Sequence, residues 1–145
     1  MHGDIVIANF LRIASQDLDG ARVLAAAHNR NAVYLCEQAA EKVIRAVLTS
    51  EGTHAGIKHN LEEMVDLVPD ANPIKPRLRS IEQLAAFSTT YRYPSPTGKV
   101  KASPSATDLA KYVADVETAL AEAVTRFGVD LGNPNAPAAK PAPIR

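Results

Sequence analysis

The sequence predicts an all-α fold, an up-and-down antiparallel helical bundle of three long and two shorter helices. Three observations predict it. Apolar residues recur at helical spacing over three long stretches, polar breaks rich in Gly, Pro and Asn separate them, and no stretch alternates polar and apolar residues far enough to make a strand. With 145 residues and a 46% hydrophobic content, the chain is long enough to bury one sizeable core.

The first long helix is expected from Asp4 to about His28. Ile7, Leu11, Ala14, Leu18, Ala21 and Ala25 recur at alternating intervals of four and three, the narrow seam of a helix packed on another long helix. Gly20 costs about 1 kcal/mol there relative to alanine, so it marks a close approach by a neighbour. The break from His28 to Asn31 is short enough only for a hairpin. The second long helix, Asn31 to Gly52, is the central one. Val33, Cys36, Ala40, Val43, Ile44, Val47 and Leu48 form its apolar stripe, with the small Ala39 beside Ala40. Glu37, Glu41, Lys42 and Arg45 lie off that stripe and need water or partners. Glu41 and Arg45, four apart, support the helix by roughly 0.2–0.5 kcal/mol.

A short third helix is expected from about Asn60 to Val68, with Asn60 or His59 at its start and Glu62 and Glu63 in the first turn. Pro76 opens a fourth, running to about Thr90 and offering Leu78, Ile81, Leu84, Ala85 and Phe87 to the core. Prolines 94, 96 and 104 with Gly98 then forbid regular helix. The last helix starts near Ser105 or Thr107, carries Asp108 in its first turn, repeats the seam through Leu109, Val113, Val116, Leu120, Ala123 and Phe127, and ends at Gly128. The expected organisation is a bundle over residues 1–131 and a Pro/Ala-rich tail over 132–145 with almost nothing to bury, hence mobile.

Composition narrows the function classes. The 16 basic and 16 acidic residues cancel, so no global field draws the chain to nucleic acid or membrane, and binding must come from a local patch. There is one cysteine, Cys36, on an apolar stripe, read as a core residue and not a nucleophile. A single thiol and the lack of a signal-like or membrane-spanning apolar run fit a cytoplasmic protein. His54 and His59 have no Cys or third His near them, and Gly-rich phosphate loops, GxSxG and HExxH are missing, so no metal or cofactor is expected.

If every connection reverses direction, the end of the second helix, the start of the third, the end of the fourth and the start of the last share one pole. The loops there supply Lys58, His59, Tyr91, Arg92, Tyr93, Lys99 and Lys101. Residues 74–104 hold six basic side chains, Lys75, Arg77, Arg79, Arg92, Lys99 and Lys101, against the one acid Glu82. Arg92 can grip a phosphate with two bonds, a tyrosine can stack on a base, and the third helix's N–H groups can meet a phosphate oxygen. Lys58, His59, Tyr91, Arg92, Tyr93 and Lys99 are therefore the candidate nucleotide- or phosphate-binding set. The ordinary alternative is that the tyrosine rings pack on the core, Arg92 caps carbonyls, and the lysines are solvated.

From about Ala14 to Thr125 the chain resembles the HEPN domain, the nucleotide-binding domain of higher eukaryotes and prokaryotes. The resemblance rests on the order and spacing of DLDGARVLAAA, CEQAAEKVIRAVLTSEG, KHNLEEMV and YRYP. It implies an all-helical bundle that often forms a homodimer and binds nucleotides or RNA. It further implies, for bacterial members, a neighbouring nucleotidyltransferase with which they form a toxin–antitoxin pair. Many members are metal-independent ribonucleases with an Arg, four to six residues, then His near the start of the last helix. Here no histidine follows His59, and residues 97–109 lack the motif; Arg22 and His28 have its spacing but sit at the end of the first helix, and are read as coincidence. The chain thus reads as a non-catalytic nucleotide- or RNA-binding branch of that family. The alternatives are a ribonuclease toxin using His59 as acid–base and Arg92 on the phosphate, and a structural adaptor pairing through its helical seams.

Overall fold

The computed structural model describes residues 2–57, 60–87 and 93–145. Among the described residues the regular structure is α1 His2–Ala26, α2 Asn31–Ser50, α3 Leu61–Asp66, α4 Lys75–Arg79, the 3₁₀ turn Glu82–Ala86, and α5 Ala106–Phe127. Among the described residues there is no strand, and the fold is the expected all-α bundle.

The seams predicted from spacing are the ones that bury. On α1, Ile7, Leu11, Ala14, Leu18 and Ala21 are sealed, and on α2 every residue of the predicted stripe is. A Cβ added at Gly20 would sit 3.0 Å from Leu35 Cδ1, so α1 and α2 do approach closely there. The connection between them turns at His28, whose φ of 56° is left-handed, a conformation histidine adopts more readily than most side chains. Asn60 caps α3 by accepting from the Glu63 N–H at 3.1 Å, and Ser105 caps α5 by accepting from Asp108 at 3.1 Å. Gly128 terminates α5.

α2 is buried on more sides than its apolar stripe requires. Glu37 and Glu41, expected to lie off that stripe, are 0% and 6% exposed. They take the partner option: Glu37 Oε2 accepts from Gln38 Nε2 at 2.8 Å, and Glu41 pairs with Arg45 at 3.5 Å and Lys42 at 3.6 Å. Cys36 is sealed beside them, and its thiol is pushed up to about 12, first by burial and then by the Asp115 and Glu37 carboxylates. Iodoacetamide at about pH 8 should therefore leave native Cys36 unmodified and label it fully in denaturant; free-thiol rates in the native protein would contradict its burial. The sign of the pH effect follows. An unfolded thiol titrates near 9.0 and the folded one near 12, so the unfolded chain loses its proton first and this contribution to stability is lost as pH rises through that window.

The expected single fourth helix is instead broken into α4 and the 3₁₀ turn, with Ser80 and Ile81 between them. Leu78, Ile81 and Leu84 still reach the core. The break changes the topology. Elements of five or six residues rise less than about 10 Å each, too little to cross a bundle whose long helices rise about 30 Å. α3, α4 and the 3₁₀ turn are therefore too short for any of them to cross the bundle alone.

α5 runs antiparallel to α1 but parallel to α2. Ala106 at its start shares a cavity with Ala25 and His28, while residues just past its end meet the start of α1, Ala138 N–H donating to Asp4 at 3.0 Å. The end of α2 lies at the opposite pole, where Leu48 and Thr49 share a cavity with Gly3 and Val6. The expectation that the end of the second helix and the start of the last share one pole is thus corrected.

The tail also differs from its expectation of almost nothing to bury. Ala138 and Ile144 are buried, Ala139 and Lys140 donate to the Gly128 and Phe127 carbonyls, and Arg145 holds Glu51 at 2.7 and 3.1 Å. The buried guanidinium of Arg12 ties this path to α1, donating to the carbonyls of Asp130 at 2.8 Å and Ala136 at 2.7 Å and to Asn9 Oδ1 at 2.9 Å. Prolines do not prevent packing here because the carbonyls of the tail, and not its N–H groups, meet Arg12.

Candidate functional site

Of the six candidate contact residues, Lys58, His59, Tyr91 and Arg92 lie outside the described residues, while Tyr93 and Lys99 lie within them. Tyr93 is 62% exposed and Lys99 is exposed, as is Lys101. The segment carrying the lysines is a closed turn. Ser95 N–H donates to the Lys99 carbonyl at 2.7 Å, Gly98 N–H returns to the Ser95 carbonyl at 2.7 Å, and the Ser95 hydroxyl accepts from Lys99 N–H at 3.1 Å. Gly98 takes φ +79°, which the turn needs and L side chains resist. These bonds hold Lys99 and Lys101 outward just ahead of the Ser105 cap of α5. Before the undescribed stretch, Phe87 packs its ring on Tyr112 of α5 at a centroid distance of 5.6 Å.

Half of the wider positive patch read from residues 74–104, its three residues at 75, 77 and 79, is neutralised. Lys75 pairs with Asp70 at 2.9 Å, Arg77 with Glu122 at 3.3 Å, and Arg79 with both Asp66 and Glu82 at 2.8 Å. The Lys75 hydrogen bond and charge hold the Asp70 carboxyl below its usual range, and the two carboxylates raise Arg79. Apart from Glu82, which the local count included, the pairing acids come from α3, its following loop and α5, so that count missed them. Among the described residues, Lys99 and Lys101 form no ion pair.

Two further features lie in the helical body. At the pole shared by the start of α1 and the end of α2, a cavity of about 540 Å³ is lined by Val6, Phe10, Arg45, Thr49, Thr53 and His54. It is the described cavity next in sequence to Lys58 and His59. Along the other side, α1 and α5 enclose a cavity of about 370 Å³ that brings Arg22 and His28 together with Ala106, Leu109, Val113 and Glu117. Arg22 pairs there with Glu117 at 3.1 Å and with Asp19 at 2.9 Å. Arg22 and His28, whose motif-like spacing is read as coincidence, line this one groove; the repeat of small residues at Ala106, Ala110 and Ala114, all exposed, was the groove's sequence signal.

Between α1 and α2, burial raises the Asp17 carboxyl, with Lys42 lowering it and Glu41 raising it. Among the described residues no three His, Cys, Asp or Glu side chains converge as a metal site requires. Nor is any helix among them long and apolar enough to cross a membrane.

What this arrangement offers chemically is an exposed aromatic ring and two cations on a stiff turn, feeding a long capped helix. Comparison with curated proteins and with solved structures found no significant match. The family model of the HEPN domain matches residues 7–126, spanning α1 through nearly all of α5. With the match covering most of the chain and the bundle all-helical, the chain belongs to the HEPN domain family, a family of nucleotide-binding and ribonuclease-like modules.

Proposed function

We infer that this chain is a nucleotide- or RNA-binding module of its family, without the Arg-x4-6-His ribonuclease motif. The observation that carries the reading is the turn at Ser95–Lys99, where Lys99, with Lys101 just after it, is exposed to solvent a few residues from the exposed ring of Tyr93. An unpaired base stacked on an aromatic ring gains about 1–3 kcal/mol, and lysines at its backbone release counterions. Tyr91 and Arg92, next in sequence to Tyr93, complete the proposed contact set with Tyr93 and Lys99; Lys58 and His59 follow α2, whose end lies at the pole opposite the start of α5, and are left out of it. The module works as a homodimer, cytoplasmic, with a partner nucleotidyltransferase in a toxin–antitoxin-type pair.

Fluorescence anisotropy with a labelled single-stranded RNA at fixed salt tests this. Tyr93→Ala is expected to weaken binding about fivefold or more, since one stacking contact is worth at least about 1 kcal/mol. Replacing Lys99 and Lys101 together by alanine should lower the salt slope by about 1.4, at about 0.7 per phosphate contact on a single strand. Unchanged affinity in both variants would remove the turn from the site. The same samples on a denaturing gel in EDTA read the ribonuclease alternative, which requires cleavage that His59→Ala abolishes.

A further inference from the structure

The cavity between the start of α1 and the end of α2, about 540 Å³, is roomier than the one along α1 and α5 at about 370 Å³, and the RNA contact makes no use of it. Its size falls within the roughly 300–1,000 Å³ of pockets that hold small molecules. The room is built into the backbone. A Cβ added at Gly3, Gly52 or Gly56 would meet nothing within 4 Å, so space is open at all three glycines of the wall. Gly52 and Gly56 take φ of 72° and 63°, where larger residues are strained. The turn out of α2 is closed by the Thr53 N–H on the Leu48 carbonyl at 2.9 Å and the Gly52 N–H on Thr49 at 3.0 Å, which holds that wall in place without a ligand.

The lining is apolar at Val6, Phe10 and Leu48, and the only lining side chains able to carry charge are Arg45 and the exposed His54, both basic. Asp4, Glu41 and Glu51 are close in sequence to lining residues but do not line the cavity. Glu41 holds Arg45 Nε at 3.5 Å and Glu51 is held by Arg145 at 2.7 Å, their own side chains 7% and 3% exposed. The end of a helix ordinarily repels an anion through its bare carbonyls. Here the Val47, Leu48 and Thr49 carbonyls already accept from the Glu51, Thr53 and Gly52 N–H groups, which weakens that repulsion. Ile57 follows Gly56 and is 93% exposed, so apolar surface continues along the chain from the rim.

Charge and surface together set the class of ligand. A guanidinium that shares its charge with Glu41 balances one negative charge, and not the roughly −2 of a phosphate monoester. We propose that this cavity binds a small monocarboxylic acid, its carboxylate at Arg45 and its apolar body along Val6, Phe10 and Leu48. The site is independent of the RNA contact, because the start of α5 lies at the other pole.

Hexanoate, titrated into the ¹⁵N-labelled full chain and followed by amide shifts, tests the proposal. The shifts should saturate by about 10 mM and be largest at Thr49, Gly52, Thr53 and Gly56. 1-Hexanol has the same body without the charge and should bind at least about tenfold more weakly, since a hydrogen bond from a charged group is lost. Val6→Phe should fill the cavity and remove hexanoate binding while leaving the helical circular dichroism intact. Arg45→Met keeps the apolar stem and should make the two probes bind equally. If that variant does not fold, the comparison of hexanoate with hexanol on the wild type still decides. No saturable shift by about 10 mM overturns the proposal, as does equal affinity for the two probes in the wild type. Shifts that are largest at Ala106 to Ala114, or that persist in a folded Val6→Phe variant, overturn it too.

Discussion

Phe127→Ala is expected to lower the unfolding free energy by about 3–5 kcal/mol, read as a shift in the urea midpoint without a change in slope. Phe127 is the last residue of α5 and is completely buried, among the largest side chains that are. Its cost sits at the upper end because the site cannot collapse easily. The tail crosses above it, Lys140 donating to the Phe127 carbonyl at 2.9 Å and Ala139 to Gly128 at 3.1 Å. α5 packs on both α1 and α2, and the tail bonds pin the end of α5 that carries the ring, so the surroundings cannot easily move in to fill its volume. A loss below about 1 kcal/mol would show that the tail settles into the space, and that its path is not rigid.

Arg12→Ala is expected to cost about 2–4 kcal/mol and to loosen the tail before the bundle. The guanidinium is 8% exposed and donates to two tail carbonyls and to Asn9. A hydrogen bond from a charged group contributes about 1.5–3 kcal/mol net, and here the carbonyls of Asp130 and Ala136 would be left needing water. Hydrogen exchange gives the selective readout. Amides of Ala138, Ala139 and Lys140, which bond to Asp4, Gly128 and Phe127, should exchange at least about tenfold faster, whereas those in the middle of α2 should slow or quicken only with global stability. Equal acceleration everywhere would mean that the tail has no local unfolding step of its own.

Both expectations concern a segment that the sequence misrepresents. GNPNAPAAKPAPIR contains few apolar side chains, and composition alone reads it as free. Its anchoring depends on Arg12, more than a hundred residues away, donating to carbonyls that every residue possesses. No local pattern advertises a backbone acceptor. The same physics hid the fate of the basic residues at positions 75, 77 and 79, whose partners come mostly from other elements.

Helices with a long apolar seam were legible because the seam is a property of spacing. Leu11 and Leu18, or Val43 and Val47, can be buried together only on one face of a helix, and the structure buries them there. Caps were legible for a related reason: Asn60 and Ser105 act on N–H groups three residues away. The candidate site was legible only as residue types. Whether the loop after α2 and the loop before α5 meet depends on how many times the chain crosses between them. Spacing does not settle that count, since the break at Ser80 and Ile81 sits in a run of acceptable helix formers.

By itself, then, the sequence determined the class of the fold, the faces of the long helices, their ends and the family, because each is written in contacts within a few residues. Only the tertiary structure decided the direction of α5 relative to α2, the path of the tail, the neutralisation of half of the basic patch and the open groove along α1 and α5. Those depend on which distant groups meet, and burial and backbone hydrogen bonding between remote segments set that outcome.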